Sequence, residues 1–495
     1  MSLRPEPYLW REDTAPRAAV LVDMADYYAA ARAAMAKAQR SIHLLNWAFE
    51  SRTRLDPANE GERAPGGQIG DFLKSLAENG IDVRVLCWKT ALPIAATQDW
   101  FPLQDRRSFA GTRVKFVLDD KHPYGACHHQ KAIIIDDAVA FCGGADFGQD
   151  RWDTSEHLDD DPRRVRPRTA ACFDSRHEVM AIVDGPPAAA LGFMFRERWR
   201  RATGETLSAP PPLAPIPWPD RVRPEFTDAA VGLSRTFPAW RSWAEVRESE
   251  ALTLASIAAA RRRIYLENQY FTSPPVAEAL ALRLAEEDGP EVVLISTQHA
   301  PHWFDRMTMD RARGHFIRRL RRADRHGRFH IYSPVTLKGR IIIVHAKVAI
   351  IDDDFVRVGS SNMNNRSTGF DTECDLSLRL DSEANRAAAY ALQARLVAHW
   401  LGCPRAVVEE AVTREGGLGR AIESLRAAGC ARLRPIEPRL LGPIASFIAA
   451  FHLGDPIGRA DSFRPLLRRR RLAAKVAAVA RGIPPLPSDT PPTAS

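Results

Sequence analysis

The chain has 495 residues, a length at which two or more folding units are expected. Hydrophobic residues make up 45% and charged residues 26%, proportions that are ordinary for a globular protein. The formal net charge of +8 favours an anionic partner, and it does not choose between nucleic acid and an anionic membrane. The seven cysteines include no Cys-x-x-Cys pair, which argues against a zinc site and a disulfide framework.

The N-terminal segment contains no apolar core of the signal-peptide type. No run of apolar residues is long enough to span a bilayer. The odd number of cysteines fits a reducing compartment. We therefore expect a cytoplasmic protein that is either soluble or peripheral to a membrane.

In chain order, the first half alternates helical and β patterns. Residues 1–16 are polar and contain proline, and they are predicted to form a loose arm. Apolar periodicity then predicts the elements that follow: a helix from Ala18 to about Arg40, a strand over 41–49, a helix over 69–77, and strands over 81–88 and 114–118.

The second half repeats this plan, with a helix over 252–262, a strand over 264–271, a helix over 276–287, and strands over 291–295 and 329–332. Asn46 aligns with Asn268 and His129 with His345, at separations of 222 and 216 residues. This register indicates an internal duplication, and the alternation of strands and helices predicts α/β layering with a mixed sheet. The site should lie at the interface between the repeats.

Composition suggests where the repeats begin and end. We predict an arm over 1–16, one repeat over 17–203, a linker over 204–224, a second repeat over 225–405, a helical basic extension over 406–482 and a disordered tail over 483–495. A proline-rich loop packed on the surface is an equally good interpretation of 204–224. The four arginines from Arg468 to Arg471 either contact an anionic membrane or end a solvated helix.

One motif occurs twice. His129 and Lys131 are two residues apart, Asp136 follows His129 by seven residues, and glycine follows that aspartate by seven more. His345, Lys347, Asp352 and Gly359 repeat the spacing. The apolar, β-branched segment between lysine and aspartate predicts a buried strand, on which histidine and lysine share a face.

Two such strands can bring two imidazoles and two ammonium groups together. Fixed positive charge suits an anion such as phosphate. One neutral imidazole can attack phosphorus while the other protonates the leaving oxygen, because the pKa of histidine lies near neutrality. This chemistry needs neither serine nor cysteine nor a metal ion.

The paired motifs resemble the phospholipase D superfamily, whose pattern is His-x-Lys-x4-Asp followed by Gly-Gly or Gly-Ser and then Asn or Asp. The stretches Gly143–Thr154 and Ile264–Phe271 resemble the phospholipase D enzymes more than the nuclease branch, and the likeness extends over roughly residues 17–405. It implies two tandem repeats with no cofactor and no metal. It also implies that His129 is the nucleophile and His345 the general acid and base, although the sequence itself is symmetric on this point.

The resemblance implies further roles. Lys131 and Lys347 should hold the phosphate, and Asn362 should contact it directly, whereas a structural role is favoured for Asp146. Glu178 and Glu373 occupy the positions, one downstream of each motif, where the family supplies an orienting carboxylate, and Glu178 departs from the aspartate that is common there. The supporting motif residues are Asp136, Asp352, Gly143, Gly144, Gly359 and Ser360, and the candidates for substrate binding are Trp152, Asn364, Arg366 and Ser367.

The resulting expectation is a phospholipase D-type phosphodiesterase that releases the headgroup alcohol of a glycerophospholipid through a phosphohistidine. We expect a monomer that contacts membranes peripherally and does not act on nucleic acid. The alternatives are a cardiolipin-synthase-like phosphatidyltransferase, a nuclease favoured by the positive charge, and a catalytically inactive binding module, which the two intact His-Lys pairs disfavour.

Overall fold

The computed structural model describes residues 8–57, 67–90, 102–300, 303–430, 432–438 and 442–482. The prediction that 483–495 is disordered lies outside these residues. The strands are β1 Arg11–Val22, β2 Ser41–Asn46, β3 Asp82–Trp88, β4 Lys115–Asp119, β5 Ala132–Ile135, β6 Val139–Gly143, β7 Arg176–His177, β8 Val179–Asp184, β9 Phe226–Phe237, β10 Val246–Arg247, β11 Arg263–Asn268, β12 Glu291–Ile295, β13 Phe329–Pro334, β14 Ile343–Val344, β15 Lys347–Ile351, β16 Phe355–Gly359, β17 Glu373–Arg379 and β18 Leu433–Pro435.

Helices cover the strands, and the helices predicted over 69–77, 252–262 and 276–287 lie within about four residues of their observed bounds. The helices are α1 Met24–Met35, α2 Ile69–Glu78, α3 Pro102–Ser108, α4 Pro186–Thr203, α5 Glu248–Ala259, α6 Pro274–Ala285, α7 Trp303–Ala323, α8 Glu383–Leu401, α9 Arg405–Glu415, α10 Leu418–Ala427, α11 Pro443–Ala450 and α12 Pro465–Ala480, with short 3-10 turns at Arg366–Thr368 and Arg459–Asp461.

In the described part of the chain, sixteen strands form one mixed sheet. The first repeat contributes β1-β8-β6-β5-β2-β3-β4 in spatial order, and the second contributes β9-β17-β16-β15-β11-β12-β13, followed by β18 at the edge. The two orders match strand for strand. β2 and β3 pair in parallel, as do β11 and β12, whereas β5 and β15 lie antiparallel to their neighbours. The predicted duplication is therefore confirmed, and so is the α/β fold class.

The repeats join at the centre of the sheet, where β1 pairs antiparallel with β9 from Arg11↔Leu233 to Ala18↔Phe226. The prediction of a loose arm over 1–16 is therefore wrong for Arg11 onwards. The prediction of helix from Ala18 is wrong for the five residues before Asp23, because β1 continues to Val22 and the helix begins at Met24. The sequence did not predict β1 because the strand begins with charged residues and its partner lies more than 200 residues away.

The proline-rich segment is packed onto the first repeat. Trp218 is buried, Lys37 donates its ammonium group to the Trp218 carbonyl at 2.9 Å, and the Arg17 guanidinium lies 4.7 Å from the Trp218 ring centre. These contacts favour the surface-packed loop over a free linker. The linker boundaries themselves stay a prediction.

The C-terminal extension packs on the second repeat. Arg468 is buried, and its guanidinium donates to the Asp461 carboxylate at 3.2 Å and to the His452 carbonyl at 2.6 Å. Lys475 donates to Glu250 of α5 at 2.6 Å. The arginine run is thus neither a wholly solvated helix end nor a uniform basic surface, because Arg468 neutralises an internal carboxylate. Among the described helices, none combines the length and the apolar character needed to cross a bilayer.

Candidate active site

The two histidine-lysine motifs stand at equivalent places in the sheet. His129 and Lys131 lie just before β5, and His345 separates β14 from β15, whose first residue is Lys347. The strands form as predicted because Ile134 and its counterpart Ile350 are β-branched and fully buried.

Short backbone pairings cross between the repeats at these motifs. β7 of the first repeat pairs in parallel with β14 of the second, and the His345 N–H donates to the His177 carbonyl at 2.9 Å. Symmetrically, the His129 N–H donates to the Thr372 carbonyl at 3.0 Å. Each motif is therefore bonded to the segment that carries the other motif's downstream acid.

As a result, the carboxylate of each repeat orients the histidine of the other repeat. His129 Nδ1 lies 2.9 Å from Glu373 Oε2, and His345 Nδ1 lies 2.7 Å from Glu178 Oε1. The sequence had matched Glu178 to the first motif and Glu373 to the second by chain order. That matching does not describe the contacts, because the crossed pairings place each acid against the imidazole of the other repeat.

The two carboxylates are held differently. Ser360 and Ser367 donate their hydroxyls to Glu373 at 2.5 and 2.6 Å. No hydroxyl in the described residues reaches Glu178. Gly144 stands where Ser360 stands in the second motif, and a Cβ there would lie 2.9 Å from Glu178 Oε2 and 3.0 Å from the His345 carbonyl oxygen. The first repeat has no room for the serine of the second.

Both lysines are buried and fold back along their own motif. Lys131 donates to the His129 carbonyl at 2.7 Å, and Lys347 donates to the His345 carbonyl. Burial lowers the pKa of Lys347 to about 7, with the charge of Glu178 acting in the opposite direction. Burial also lowers the pKa of Lys131, against the attraction of Asp146. An anion entering between the lysines would restore their charge.

The two imidazoles are neutral at neutral pH. Burial lowers the pKa of His129 well below its ordinary value, and the charges of Lys131 and Lys347 lower it further. The pKa of His345 falls for the same reason, first by burial and then through the charge of Lys347. Burial also raises the pKa of Glu373 well above its ordinary value. With Nδ1 facing a carboxylate, each ring keeps Nε2 for chemistry.

The sequence did not predict that two arginines, Arg151 and Arg176, lie near the site. Arg151 and Arg176 both lower the pKa of His345 through their charge, and both are buried. Arg151 donates to Asp146 Oδ1 at 2.9 Å. Their positions carried a signal, because Arg151 belongs to the Gly143–Thr154 stretch and Arg176 stands two residues before Glu178.

The motif aspartates occupy matching structural positions. The Asp136 carboxylate accepts the backbone N–H groups of Gln39, Arg40 and Ser41 at 2.7–2.8 Å. The Asp352 carboxylate accepts those of Arg261, Arg262 and Arg263 at 2.7–2.9 Å. These bonds fix the turns that enter β2 and β11, and they favour the structural role predicted for both residues.

Asp146 and Asn362 differ as expected from their chemistry. Asp146 accepts from Arg151 and from the Ala48 N–H at 3.1 Å, so its charge is neutralised internally. The Asn362 side-chain oxygen is buried and has no hydrogen-bond partner among the described residues. Its predicted contact with substrate stays a prediction. At the two motif glycines, the neighbouring backbone lies too close for a side chain. A Cβ at Gly143 would lie 2.6 Å from the Val179 carbonyl oxygen, and one at Gly359 would lie 2.6 Å from Asp375 Cα.

The four candidates for substrate binding have internal partners. Arg366 forms two 2.8 Å bonds to Asp371, and Ser367 donates to Glu373. Asn364 accepts the Ser367 N–H at 3.1 Å, and Trp152 is buried with the Arg163 guanidinium 4.9 Å from its ring centre. These contacts favour support of the site over direct substrate contact, which stays a prediction.

The fold and the paired motifs define a two-repeat α/β protein with a site of two histidines and two buried lysines. The family model described as "Phospholipase D" matches residues 34–210, and the model described as "Cardiolipin synthase, PLD-like domain" matches residues 253–400. The chain belongs to the phospholipase D superfamily.

The chain resembles several characterised relatives. It is 24% identical to phospholipase D A of Dictyostelium discoideum over 73% of this chain and 32% of that protein, and 25% identical to a cardiolipin synthase of Halalkalibacterium halodurans over 61% of this chain and 53% of that protein. It thus spans about a third to about half of these relatives' lengths. Among solved structures, phosphatidylserine synthase of Haemophilus influenzae matches with a TM-score of 0.52 at 13% identity, covering 92% of this chain and 95% of that one, which supports the fold.

Proposed function

We propose that this enzyme cleaves the headgroup-side P–O bond of glycerophospholipids through a covalent phosphohistidine. One observation carries the proposal. Two neutral imidazoles, each with Nδ1 against a buried carboxylate from the other repeat, stand with two buried lysines. A phosphodiester supplies the negative charge that this cluster lacks, and its entry between Lys131 and Lys347 raises the pKa of both imidazoles.

The different surroundings of the carboxylates support His129 as the nucleophile. Glu373 already shares its charge with two hydroxyl donors, so it stabilises an imidazolium at His129 less well. Glu178 has no such donors and favours the protonated form of His345 once substrate is bound. A neutral ring attacks and a protonated ring donates, which fits this division of roles.

The reaction then balances in two steps. His129 Nε2 forms a bond to phosphorus, the bond from phosphorus to the headgroup oxygen breaks, and His345 gives its proton to the departing alcohol. Water then gives a proton back to His345 and attacks phosphorus, the P–N bond breaks, and phosphatidic acid leaves. Lys131 and Lys347 hold the nonbridging oxygens throughout, and we expect the side-chain amide N–H of Asn362 to donate to the same oxygens.

Phosphatidyl transfer is the second candidate activity, because relatives named cardiolipin synthase match this chain. It uses the same covalent intermediate, with an alcohol in place of water in the second step. The nuclease alternative has the +8 net charge in its favour. The relatives that match over most of the chain are named for phospholipids, which favours the lipid substrate.

An exposed aromatic surface near the first motif favours peripheral membrane contact. Tyr124 stands five residues before His129 and is 77% exposed, and its ring lies 6.0 Å from that of Phe463, which is 73% exposed. Arg464 and Arg469 in the same segment are exposed cations. Exposed aromatic rings flanked by arginine suit the interface of an anionic bilayer.

The test is release of choline or ethanolamine from mixed phospholipid vesicles without added metal, with and without ethanol. Release that both His129→Ala and His345→Ala abolish, with phosphatidylethanol formed in ethanol, is the expected result. Absence of release from every lipid, together with cleavage of single-stranded DNA or RNA by the same protein, would replace the lipid substrate with nucleic acid. Phe463→Ser should slow release from vesicles and leave a soluble short-chain phospholipid unaffected.

A further inference from the structure

A second cluster of histidines lies behind the active site and takes no part in the proposed chemistry. Asp23 follows β1, His157 lies on the loop after the first motif, and His399 lies in the last turn of α8 of the second repeat. Together with His177, their ligand-type atoms all lie within 4.8 Å of one another.

Three of these atoms form a triangle of the size that a metal ion requires. His157 Nε2 lies 3.0 Å from His399 Nε2, and Asp23 Oδ2 lies 3.7 Å from each of them. Ligands about 2.0–2.2 Å from a tetrahedral Zn²⁺ stand roughly 3.3 Å apart, so these three atoms match one face of such a tetrahedron.

The hydrogen bonds around the triangle direct acceptor lone pairs into it. The Nε2 atoms of His157 and His399 are also hydrogen-bonded to each other at 3.0 Å, so a bound ion would replace the proton that they share. His157 Nδ1 lies 2.9 Å from Asp153 Oδ2, which fixes its proton on Nδ1 and leaves Nε2 as an acceptor. This carboxylate-histidine arrangement is the one that supports histidine ligands of zinc. Asp23 Oδ1 lies 2.8 Å from His177 Nδ1, while Oδ2 is buried and has no hydrogen-bond partner in the described residues.

His177 is a neighbour of this triangle rather than a ligand. Both of its nitrogens face carboxylates, Asp23 at 2.8 Å and Glu267 at 2.8 Å, so neither nitrogen is left for a metal ion. The network also contains Asp153 with Arg164 at 3.0 Å.

Backbone strain marks the same place. Asp23 has φ 68° and ψ 161°, a region that is almost confined to glycine, and His157 has φ 47°. Two side chains that converge on one point are therefore held there in backbone conformations that such residues rarely adopt. Strain of this kind persists where a site over-determines it.

We propose that Asp23, His157 and His399 bind one divalent transition-metal ion, with zinc best suited to the two nitrogens and one oxygen. His399 also lines a surface groove with Glu156 and Arg432, so the ion has a route in and a place for a fourth ligand. The sequence argued against zinc because it lacks paired cysteines, and this site uses none.

The ion would act on the active site through Asp23. The Asp23 N–H donates to the Glu178 carbonyl at 2.8 Å, and Asp23 Oδ1 accepts the Glu178 N–H at 3.3 Å. Holding Asp23 and His399 together therefore fixes the segment that presents Glu178 to His345, and it ties α8 to the first repeat. The role is to position a residue of the site, and the reaction itself passes through the imidazoles.

The first experiment measures metal content by mass spectrometry. The full chain, purified without a histidine tag, is incubated with ZnCl₂ and separated from unbound metal by gel filtration. We expect about one zinc per chain in the wild type and in the control His315→Ala, whose histidine is exposed on α7 far along the chain from the cluster. In His399→Ala the affinity should fall at least about tenfold. Equal zinc in wild type and His399→Ala would overturn the proposal.

Two further readouts do not depend on lipid activity. Zinc should raise the unfolding temperature of the chelator-treated wild type and of His315→Ala, and it should leave that of His399→Ala unchanged. Co²⁺ bound to the wild type should give the intense visible absorption of a four-coordinate site. Weak, six-coordinate absorption or no binding by the wild type would refute the site even if His399→Ala failed to fold.

Discussion

Each of the two half-sites is built from a strand, a histidine, a lysine and a turn at equivalent positions, but the two half-sites hold their carboxylates differently. Glu373 accepts two serine hydroxyls, whereas Glu178 faces Gly144, whose position leaves no room for a side chain. The difference shows that duplication fixed the geometry of the imidazoles and left their electrostatic surroundings free to diverge. Symmetry in the sequence motif is therefore compatible with unequal roles in the reaction.

The sharpest test of unequal roles compares His129→Asn with His345→Asn. Both should lower kcat/KM for phospholipid by at least about 10⁴-fold. With a p-nitrophenyl phosphatidyl ester, whose leaving group needs no acid, His345→Asn should release a burst of nitrophenol and retain the phosphatidyl group on the protein. His129→Asn should show neither. A burst from His129→Asn alone would reverse the assignment.

The lysines offer a second comparison. Lys347→Met should lower kcat/KM about 10²- to 10³-fold because it removes charge from the phosphate site. It should also stabilise the fold near pH 6 by on the order of 3 kcal/mol, since burial of the charged form opposes folding. Urea unfolding of the wild type and Lys347→Met measures this gain, and Lys131→Met should change stability in the same direction because burial also lowers the pKa of Lys131.

The pH dependence of that stability has a definite sign. The folded pKa of Lys347 is lowered to about 7, whereas the unfolded chain keeps the ordinary value of 10.5. The unfolded state therefore binds more protons between these values, and the free energy of unfolding of the wild type rises with pH across that window. Lys347→Met should lose this rise, and an unchanged slope would contradict the depressed pKa.

Exchanging the turn residues tests the carboxylate surroundings directly. Gly144→Ser should lower both kcat and the unfolding temperature, because its Cβ meets the His345 carbonyl oxygen at 3.0 Å. Ser360→Gly should lower kcat about tenfold by removing one donor from Glu373, and it should also lower the unfolding temperature because the Cys374 N–H loses its acceptor. If Ser360→Gly kept full activity, the hydroxyl contacts would carry no weight in the division of roles.

The smallest effects on turnover should come from the motif aspartates. Asp136→Asn and Asp352→Asn each weaken three backbone hydrogen bonds, so each should lower the free energy of unfolding by about 1–3 kcal/mol. Activity of the folded fraction should stay within about threefold of the wild type. A large loss of kcat at unchanged stability would give either aspartate a direct part in the chemistry.

The sequence predicted those features that depend on local patterns. The buried strands beside His129 and His345 follow from β-branched runs, and the duplication follows from spacing. β1 was missed because it begins with Arg11 and Glu12, and its stability comes from pairing with β9 rather than from its own apolar pattern.

Local sequence patterns also could not predict the contacts between segments that are distant in the chain. The exchange of Glu178 and Glu373 depends on backbone pairings between segments that lie far apart in the chain. The sequence grouped Arg468 with the neighbouring arginines as surface charge. Only the folded chain shows that Arg468 is buried and paired with Asp461. A motif identifies which residues carry the chemistry, whereas tertiary pairing decides which residue supports which.

The crossed carboxylates make the single chain equivalent to a tethered pseudo-symmetric dimer. One repeat alone would hold an imidazole without its acid and an acid without its imidazole, whereas two copies related by a two-fold axis would complete both pairs. The polypeptide that joins the two repeats is then a covalent tether that keeps them at high effective concentration. A change in one repeat therefore affects both histidine-carboxylate pairs, because each repeat supplies the carboxylate that contacts the imidazole of the other.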